Sequence, residues 1–137
     1  DGYGILLYCK PSATTEPTDN VIANNAVHNT AGSGIYLQGV SNSLITHNRL
    51  YNTVRQQSDR TLPAAAIAVN AGYRVAPYAH NVSIVDNEID TSGHSGIELS
   101  STMGSVVRGN TIRHTSGLAI RLRFGNTGSL TRGNHYK

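Results

Sequence analysis

The sequence has a single cysteine, a single phenylalanine and no tryptophan. The lone Cys9 excludes an intramolecular disulfide and a metal cluster built from cysteines. With no histidine constellation beside it, Cys9 reads as a small buried apolar residue. Nowhere do about eighteen apolar residues follow one another, so no helix of the usual transmembrane length is encoded. The chain opens on "DGYGILLYC", not on a charged segment followed by an apolar one, so no signal peptide is visible. Charge is sparse too, with eleven Lys and Arg against eight Asp and Glu, a formal +3. That mild excess favours anionic partners without naming one. There is no lysine-rich run, and the cations do not gather into one stripe, which disfavours nucleic acid. A chain of 137 residues is enough for one domain with one core.

What the sequence does contain is repetition. "GYGILLY" (2–8), "GSGIYLQ" (32–38), "AAIAVN" (65–70), "SGIELSS" (95–101) and "LAIRLRF" (118–124) are variants of one short apolar phrase. A second phrase recurs as "VIANNAV", "LITHNRL", "SIVDNEI", "VVRGNTI" and "LTRGNHY". Aligned on their shared asparagines, Asn25, Asn48, Asn87, Asn110 and Asn134, these copies lie 23, 39, 23 and 24 residues apart. Ten residues separate Asn25 from Ile35, Asn87 from Ile97 and Asn110 from Ile120, whereas nineteen separate Asn48 from Ile67. The pairs Ile35/Leu37, Ile67/Val69, Ile97/Leu99 and Ile120/Leu122 alternate with period two, as half-buried strands do. Glycine-rich turns such as "TAGSG" and "TSGHSG" come too often for ordinary helices. A repeat of this length cannot bury its apolar side alone, but stacked copies bury a continuous core.

The motif N-x-[ILV], a small-residue turn and then G-I-x-L resembles the coil repeat of the right-handed parallel β-helix proteins, a pectate-lyase-like superfamily. The resemblance covers Gly2 to Tyr136. It implies an all-β solenoid of about five coils, residues 1–137 forming one β-helix domain, closest in feel to polysaccharide lyases and alginate C-5 epimerases. The fold hosts many activities, so the resemblance is specific for architecture and weak for function. It also implies an asparagine ladder, since stacked buried amides must find hydrogen-bond partners.

If the isoleucines point inward, the residues between them point outward. One outward column is Leu6, Tyr36, Ala68, Glu98, Arg121, and the next is Tyr8, Gln38, Asn70, Ser100, Arg123. A third reads His28, Tyr51, Asp90, Arg113. Glu98 is expected to pair with Arg121 and Asp90 with Arg113, as ordinary surface complementarity.

Function is sought where the repeat is interrupted. Three insertions stand out: "KPSATTEPTD" (10–19), "VRQQSDRTLP" (54–63) and "GYRVAPYAH" (72–80). Two of them flank the strand "AAIAVN", whose small outward residues Ala68 and Asn70 are expected to leave an open groove. Cations, tyrosines and amides around such a groove suit an acidic sugar chain, because Arg grips carboxylates and Tyr offers a flat face with a hydroxyl. Lyases and epimerases of uronates begin by removing a proton beside a carboxylate, which requires a neutralising cation and a base. The candidate catalytic residues are His80, Arg74, Tyr73 and Tyr78; the candidate substrate contacts are Lys10, Tyr36, Gln38, Arg55, Arg60 and Asn70.

Departures from the enzyme families are plain. There is no D-P-H-E motif, and only five Asp are present, so the aspartate set that holds calcium in many pectate lyases is missing. No cofactor is expected, calcium staying open without an identifiable ligand set. The six histidines share no metal-site spacing, so no metal site is assigned. The sequence therefore predicts an extracellular or cell-surface module that contacts acidic polysaccharide, with a lyase or epimerase activity as one reading. The rival is a non-catalytic structural or adhesive β-helix, such as a tailspike-like shaft or filament subunit. With no amphipathic helix to cap either end, the expectation is a segment of a longer solenoid, or end-to-end or lateral self-association.

Overall fold

The computed structural model describes residues 2–10, 13–56, 64–71 and 79–137. Among these the only regular elements are strands. The first coil contains β1 (Ile5–Tyr8), β2 (Val21–Ala23) and β3 (Ala26–His28); the second contains β4 (Ile35–Gln38), β5 (Leu44–Thr46) and β6 (Arg49–Thr53). The third holds β7 (Ala65–Asn70), β8 (Ala79–His80), β9 (Ser83–Val85) and β10 (Glu88–Ser92). The fourth holds β11 (Ser95–Ser100), β12 (Thr102–Met103), β13 (Val106–Arg108) and β14 (Thr111–Thr115). The fifth is β15 (Ile120–Arg123), β16 (Leu130–Arg132) and β17 (His135–Tyr136).

Equivalent strands of successive coils pair in parallel. They form three five-stranded sheets, ordered β1-β4-β7-β11-β15, β2-β5-β9-β13-β16 and β3-β6-β10-β14-β17, and a small pair β8-β12. The chain is thus a parallel β-helix of five coils. Ile5, Ile35, Ile67, Ile97 and Ile120 lie in one register, as the repeat predicts. Side chains at equivalent positions then repeat at the strand spacing of about 4.8 Å, so each inward residue packs on its own counterpart. Ile35, Ile67 and Ile97 from the first sheet, Ile45, Ile84 and Val107 from the second, and Leu50, Ile89 and Ile112 from the third fill the interior. The residue before each inward isoleucine is small because the first and third sheets meet there. A Cβ on Gly96 would lie 2.6 Å from Ile112 Cγ2 and 2.7 Å from the Ala119 carbonyl oxygen.

The shared asparagines form the predicted ladder at the corner between the second and third sheets. Asn25 Nδ2 donates to Asn48 Oδ1 at 2.9 Å, Asn48 to Asn87 at 3.0 Å, Asn87 to Asn110 at 2.9 Å and Asn110 to Asn134 at 3.0 Å. The Oδ1 atoms of Asn48, Asn87, Asn110 and Asn134 also accept the backbone N–H of the asparagine one coil earlier, as Asn87 does from Asn48 at 2.9 Å. The residue before each ladder asparagine has a positive φ: Asn24, His47, Asp86, Gly109 and Gly133, between 53° and 67°. Asn, Asp, His and Gly are the residue types that tolerate this left-handed conformation. A second such column, Asn29, Asn52, Thr91 and His114, lies just after β3 and near the ends of β6, β10 and β14 in the third sheet. There Asn52 Nδ2 donates to Asn29 Oδ1 at 2.6 Å, but Thr91, at φ 63°, is β-branched and therefore strained.

Two outcomes test this account. Asn87→Ala removes the bridge between Asn48 and Asn110 and orphans buried backbone groups, so it should cost about 3–5 kcal/mol in urea unfolding. Thr91→Asn should instead stabilise by about 1 kcal/mol by relieving the strained φ, raising Tm by about 3 °C in calorimetry.

Candidate functional site

The outward side of the first sheet carries three of the six sequence-predicted substrate contacts. Tyr36, Gln38 and Asn70 stand on neighbouring strands β4 and β7, with Tyr36 in register with Ala68 and Gln38 with Asn70. The groove expected above Ala68 is not open. Tyr36 is 4% exposed, Gln38 6%, Ala68 0% and Glu98 0%. The physical reason lies in the small residue itself: Tyr36 packs against Ala65 and Ala68, filling the space they leave. Tyr3 lies over it, ring centroids 5.2 Å apart.

The remaining candidates separate. Arg55 is exposed just past β6, and its N–H donates to the Thr30 carbonyl at 3.1 Å, before β4 begins. Lys10, exposed, lies two residues past the end of β1, and His80, half-buried, ends β8 of the small pair that follows the first sheet. His80 Nδ1 is 2.9 Å from Ser41 Oγ, and its Nε2 is 3.8 Å from Glu16 Oε1. Arg55 therefore does not join His80 in one cluster. Arg60, Tyr73, Arg74 and Tyr78 lie outside the described residues. Cys9, expected to be buried, is half-buried, with its Sγ 3.8 Å from the carbonyls of Lys10 and Thr15.

One assembly on the first sheet goes beyond the expected Glu98–Arg121 pair. Glu98 on β11 is fully buried, so its ion pairs are not ordinary surface complementarity. Glu98 and Arg121 are register partners, yet the hydrogen bond comes from the diagonal neighbour: Arg123 Nη1 donates to Glu98 Oε1 at 3.0 Å. Arg121 Nη1 stays 4.0 Å from Oε2, and Oε2 has no hydrogen-bond partner among the described residues. A long guanidinium reaches across the diagonal of a sheet as readily as straight across. Arg123 already stood in an outward column of the sequence; register gives the Glu98–Arg121 ion pair but not the closer bond from Arg123. The Arg123 guanidinium also rests on the Phe124 ring, 4.4 Å from its centroid. The Arg121 and Arg123 side chains are 35% and 16% exposed, so this cluster is reached from solvent at β15.

The third sheet carries a second charged surface. His28 and Tyr51 stack with centroids 4.8 Å apart. Asp90 and Arg113 are register partners, as expected, with Nε 3.7 Å from Oδ2. Arg113 also hydrogen-bonds Glu88, and Arg49 lies 3.7 Å from that same carboxylate. Asp90 is held more tightly by His114, Nδ1 to Oδ1 at 2.7 Å. That hydrogen bond is the main cause lowering the Asp90 pKa below its ordinary value, opposed by burial and aided by Thr91 and Arg113. Two carboxylates meet two guanidiniums here, so this surface neutralises itself.

The family model described as "Right handed beta helix region" matches residues 1–137. The chain belongs to that family. Its right-handed coil is shared with a solved structure, a "putative glycosyl hydrolase" from Parabacteroides merdae ATCC 43184. The likeness has a TM-score of 0.51 and 15% identity, covering 74% of this chain and 41% of that one. At that identity it shows the fold, and the chain spans about two fifths of that protein's length. No curated protein matches the chain.

The Asp90 contact gives a signed prediction. A depressed carboxyl pKa adds stability above the unfolded value near 3.8, which is lost as pH falls through the lower folded value. Because both partners are substantially exposed, the contribution is well under about 1 kcal/mol. Carboxyl-carbon NMR should show Asp90 titrating below the usual aspartate range, and His114→Ala should move that titration upward.

Proposed function

We propose that this chain is a carbohydrate-contacting β-helix module whose ligand is an acidic, uronate-type polysaccharide bound at the outward side of the first sheet. The observation that carries the reading is a charge imbalance. Two guanidiniums, Arg121 and Arg123, share the single carboxylate of Glu98, so among the described residues one cation is in excess at a part-buried position. Desolvated excess charge recruits a counter-ion, and a planar guanidinium is shaped for a carboxylate. The self-neutralised surface of the third sheet offers no such demand.

Within this reading a lyase or epimerase is the catalytic form. The cation that neutralises the uronate carboxylate raises the acidity of the adjoining C–H, and a base removes that proton. Arg121 supplies the cation among the described residues, beside the earlier candidates Arg55, Arg60 and Arg74. His80 is the described candidate base, with Lys10, Tyr73 and Tyr78 as alternatives. The second reading, a non-catalytic structural or adhesive module, is favoured by the closed outward surface over Tyr36, Gln38 and Ala68, which leaves little room for a deep catalytic cleft. Calcium enters neither reading, and the expected extracellular or cell-surface location belongs equally to both.

Titration calorimetry with oligouronates and with neutral oligosaccharides of the same length tests the binding claim. Wild type should bind the acidic series preferentially, and Arg121→Ala should weaken that binding about tenfold, the worth of one charged hydrogen bond. Equal binding of neutral and acidic ligands, or no effect of Arg121→Ala, would refute it. Ultraviolet absorbance of unsaturated uronates on alginate, pectate and glycosaminoglycans, with proton NMR of alginate, separates the catalytic form from the adhesive one.

A further inference from the structure

We propose that Gln38, Asn70 and Ser100 form a recessed row that hydrogen-bonds uncharged sugar units, so that the ligand is a mixed chain in which neutral sugars space the uronates. This rests on the reading above and narrows its substrate class. The three residues follow the inward Leu37, Val69 and Leu99, all fully buried, and therefore point outward from the first sheet. They stand in one register on β4, β7 and β11, the second to fourth coils, so each has a coil on either side. At the strand spacing of about 4.8 Å the row is about 10 Å long, more than one pyranose covers.

What distinguishes the row is recessed polarity without a partner. Gln38 and Ser100 are 6% exposed, and Asn70 is half-buried. None of the three side chains hydrogen-bonds a described residue, yet their polar atoms are not sealed from solvent. At the corner ladder, by contrast, the asparagine amides donate to one another at 2.9 to 3.0 Å. The backbone of the row is already paired, Gly39 N–H donating to the Asn70 carbonyl at 2.8 Å and Cys9 N–H to the Gln38 carbonyl at 3.0 Å. Side-chain donors and acceptors left open at the bottom of a recess are placed to exchange water for a ligand.

The chemistry of the row selects the unit that it meets. An amide offers two donors and an acceptor, and a hydroxyl both donates and accepts, which matches sugar hydroxyls and acetamido groups. On β4, β7 and β11 the only charged side chain is Glu98. A uronate carboxylate placed over these strands would lose water, find no cation on them and lie near a like charge. The arginines of this sheet stand one coil further on, at Arg121 and Arg123. A chain lying along the row thus presents neutral groups over β4, β7 and β11 and its carboxylate beyond them. An uninterrupted uronate chain would force a carboxylate onto the neutral row.

Titration calorimetry on the 137-residue chain tests this with two probes of equal length, an oligogalacturonate and a hyaluronan oligosaccharide, in which glucuronate alternates with N-acetylglucosamine. The alternating chain should bind about tenfold more tightly, and Asn70→Ala and Ser100→Ala should each weaken it about fivefold. Because neither side chain is bonded to a described residue, the Tm of both variants should stay within about 1 °C of wild type. Equal or tighter binding of the oligogalacturonate would overturn the proposal. So would unchanged affinity in both variants, or a loss of affinity accompanied by a lowered Tm, which is how a merely structural residue behaves. If neither probe binds, the reading under Proposed function fails and the row with it. If both bind equally and Arg121→Ala weakens both, that reading stands and the neutral row alone falls.

Discussion

The structure depends on parallel pairing between successive coils, with the asparagine ladder holding the tightest corner in register. A parallel sheet has no tight hairpin to fix its alignment, and a one-residue slip would turn every inward isoleucine outward. The ladder prevents the slip locally. Asn87 Oδ1 accepts both the backbone N–H and the amide of Asn48, at 2.9 and 3.0 Å, while its own amide donates to the next coil and to the Ile45 and Val85 carbonyls. A slipped coil would leave several buried polar groups unpaired at once, each at about 1–3 kcal/mol. The preceding left-handed residue aims the asparagine inward, which is why Asn, His, Asp and Gly stand at that position and no β-branched residue does.

Once register is fixed, every position becomes a column, and columns are what the sequence could reveal. The inward series Ile35, Ile67, Ile97 and the outward series His28, Tyr51, Asp90, Arg113 both follow from spacing alone, because a period of two and a constant coil length leave no freedom. The ladder was legible for the same reason. Contacts off the column were not. Register cannot say whether Glu98 is bonded by Arg121 or by Arg123, since side-chain length and torsions choose between straight and diagonal partners. It also cannot say that Tyr36 folds over Ala68. A small residue in a column reads as vacant space, yet the neighbour one coil away is long enough to fill it. The candidate site suffered most, because its residues were drawn from insertions, where the repeat imposes no register: Arg55 and His80 stand at opposite ends of the first sheet's strands.

The two charged surfaces differ in how their charges are matched. On the third sheet, Glu88 and Asp90 are met by Arg49, Arg113 and His114, and the charges cancel along and across columns. Such a surface keeps stacked like positions from repelling one another and asks for nothing further. On the first sheet, among the described residues, the one carboxylate of Glu98 is shared by two arginines of the neighbouring coil.

Backbone strain is likewise offset site by site. Val54, Thr91 and Phe124 all hold positive φ values that their side chains disfavour. Val54 is 5% exposed and its N–H donates to the Gly32 carbonyl at 3.0 Å, so burial and a hydrogen bond offset its strain. Thr91 gains a hydrogen bond to Asp90 at 3.1 Å, within the network that balances the third sheet. Phe124 has neither burial nor a side-chain hydrogen bond among the described residues; its ring carries the Arg123 guanidinium, 4.4 Å from its centroid, and that cation–π contact is what offsets its strain.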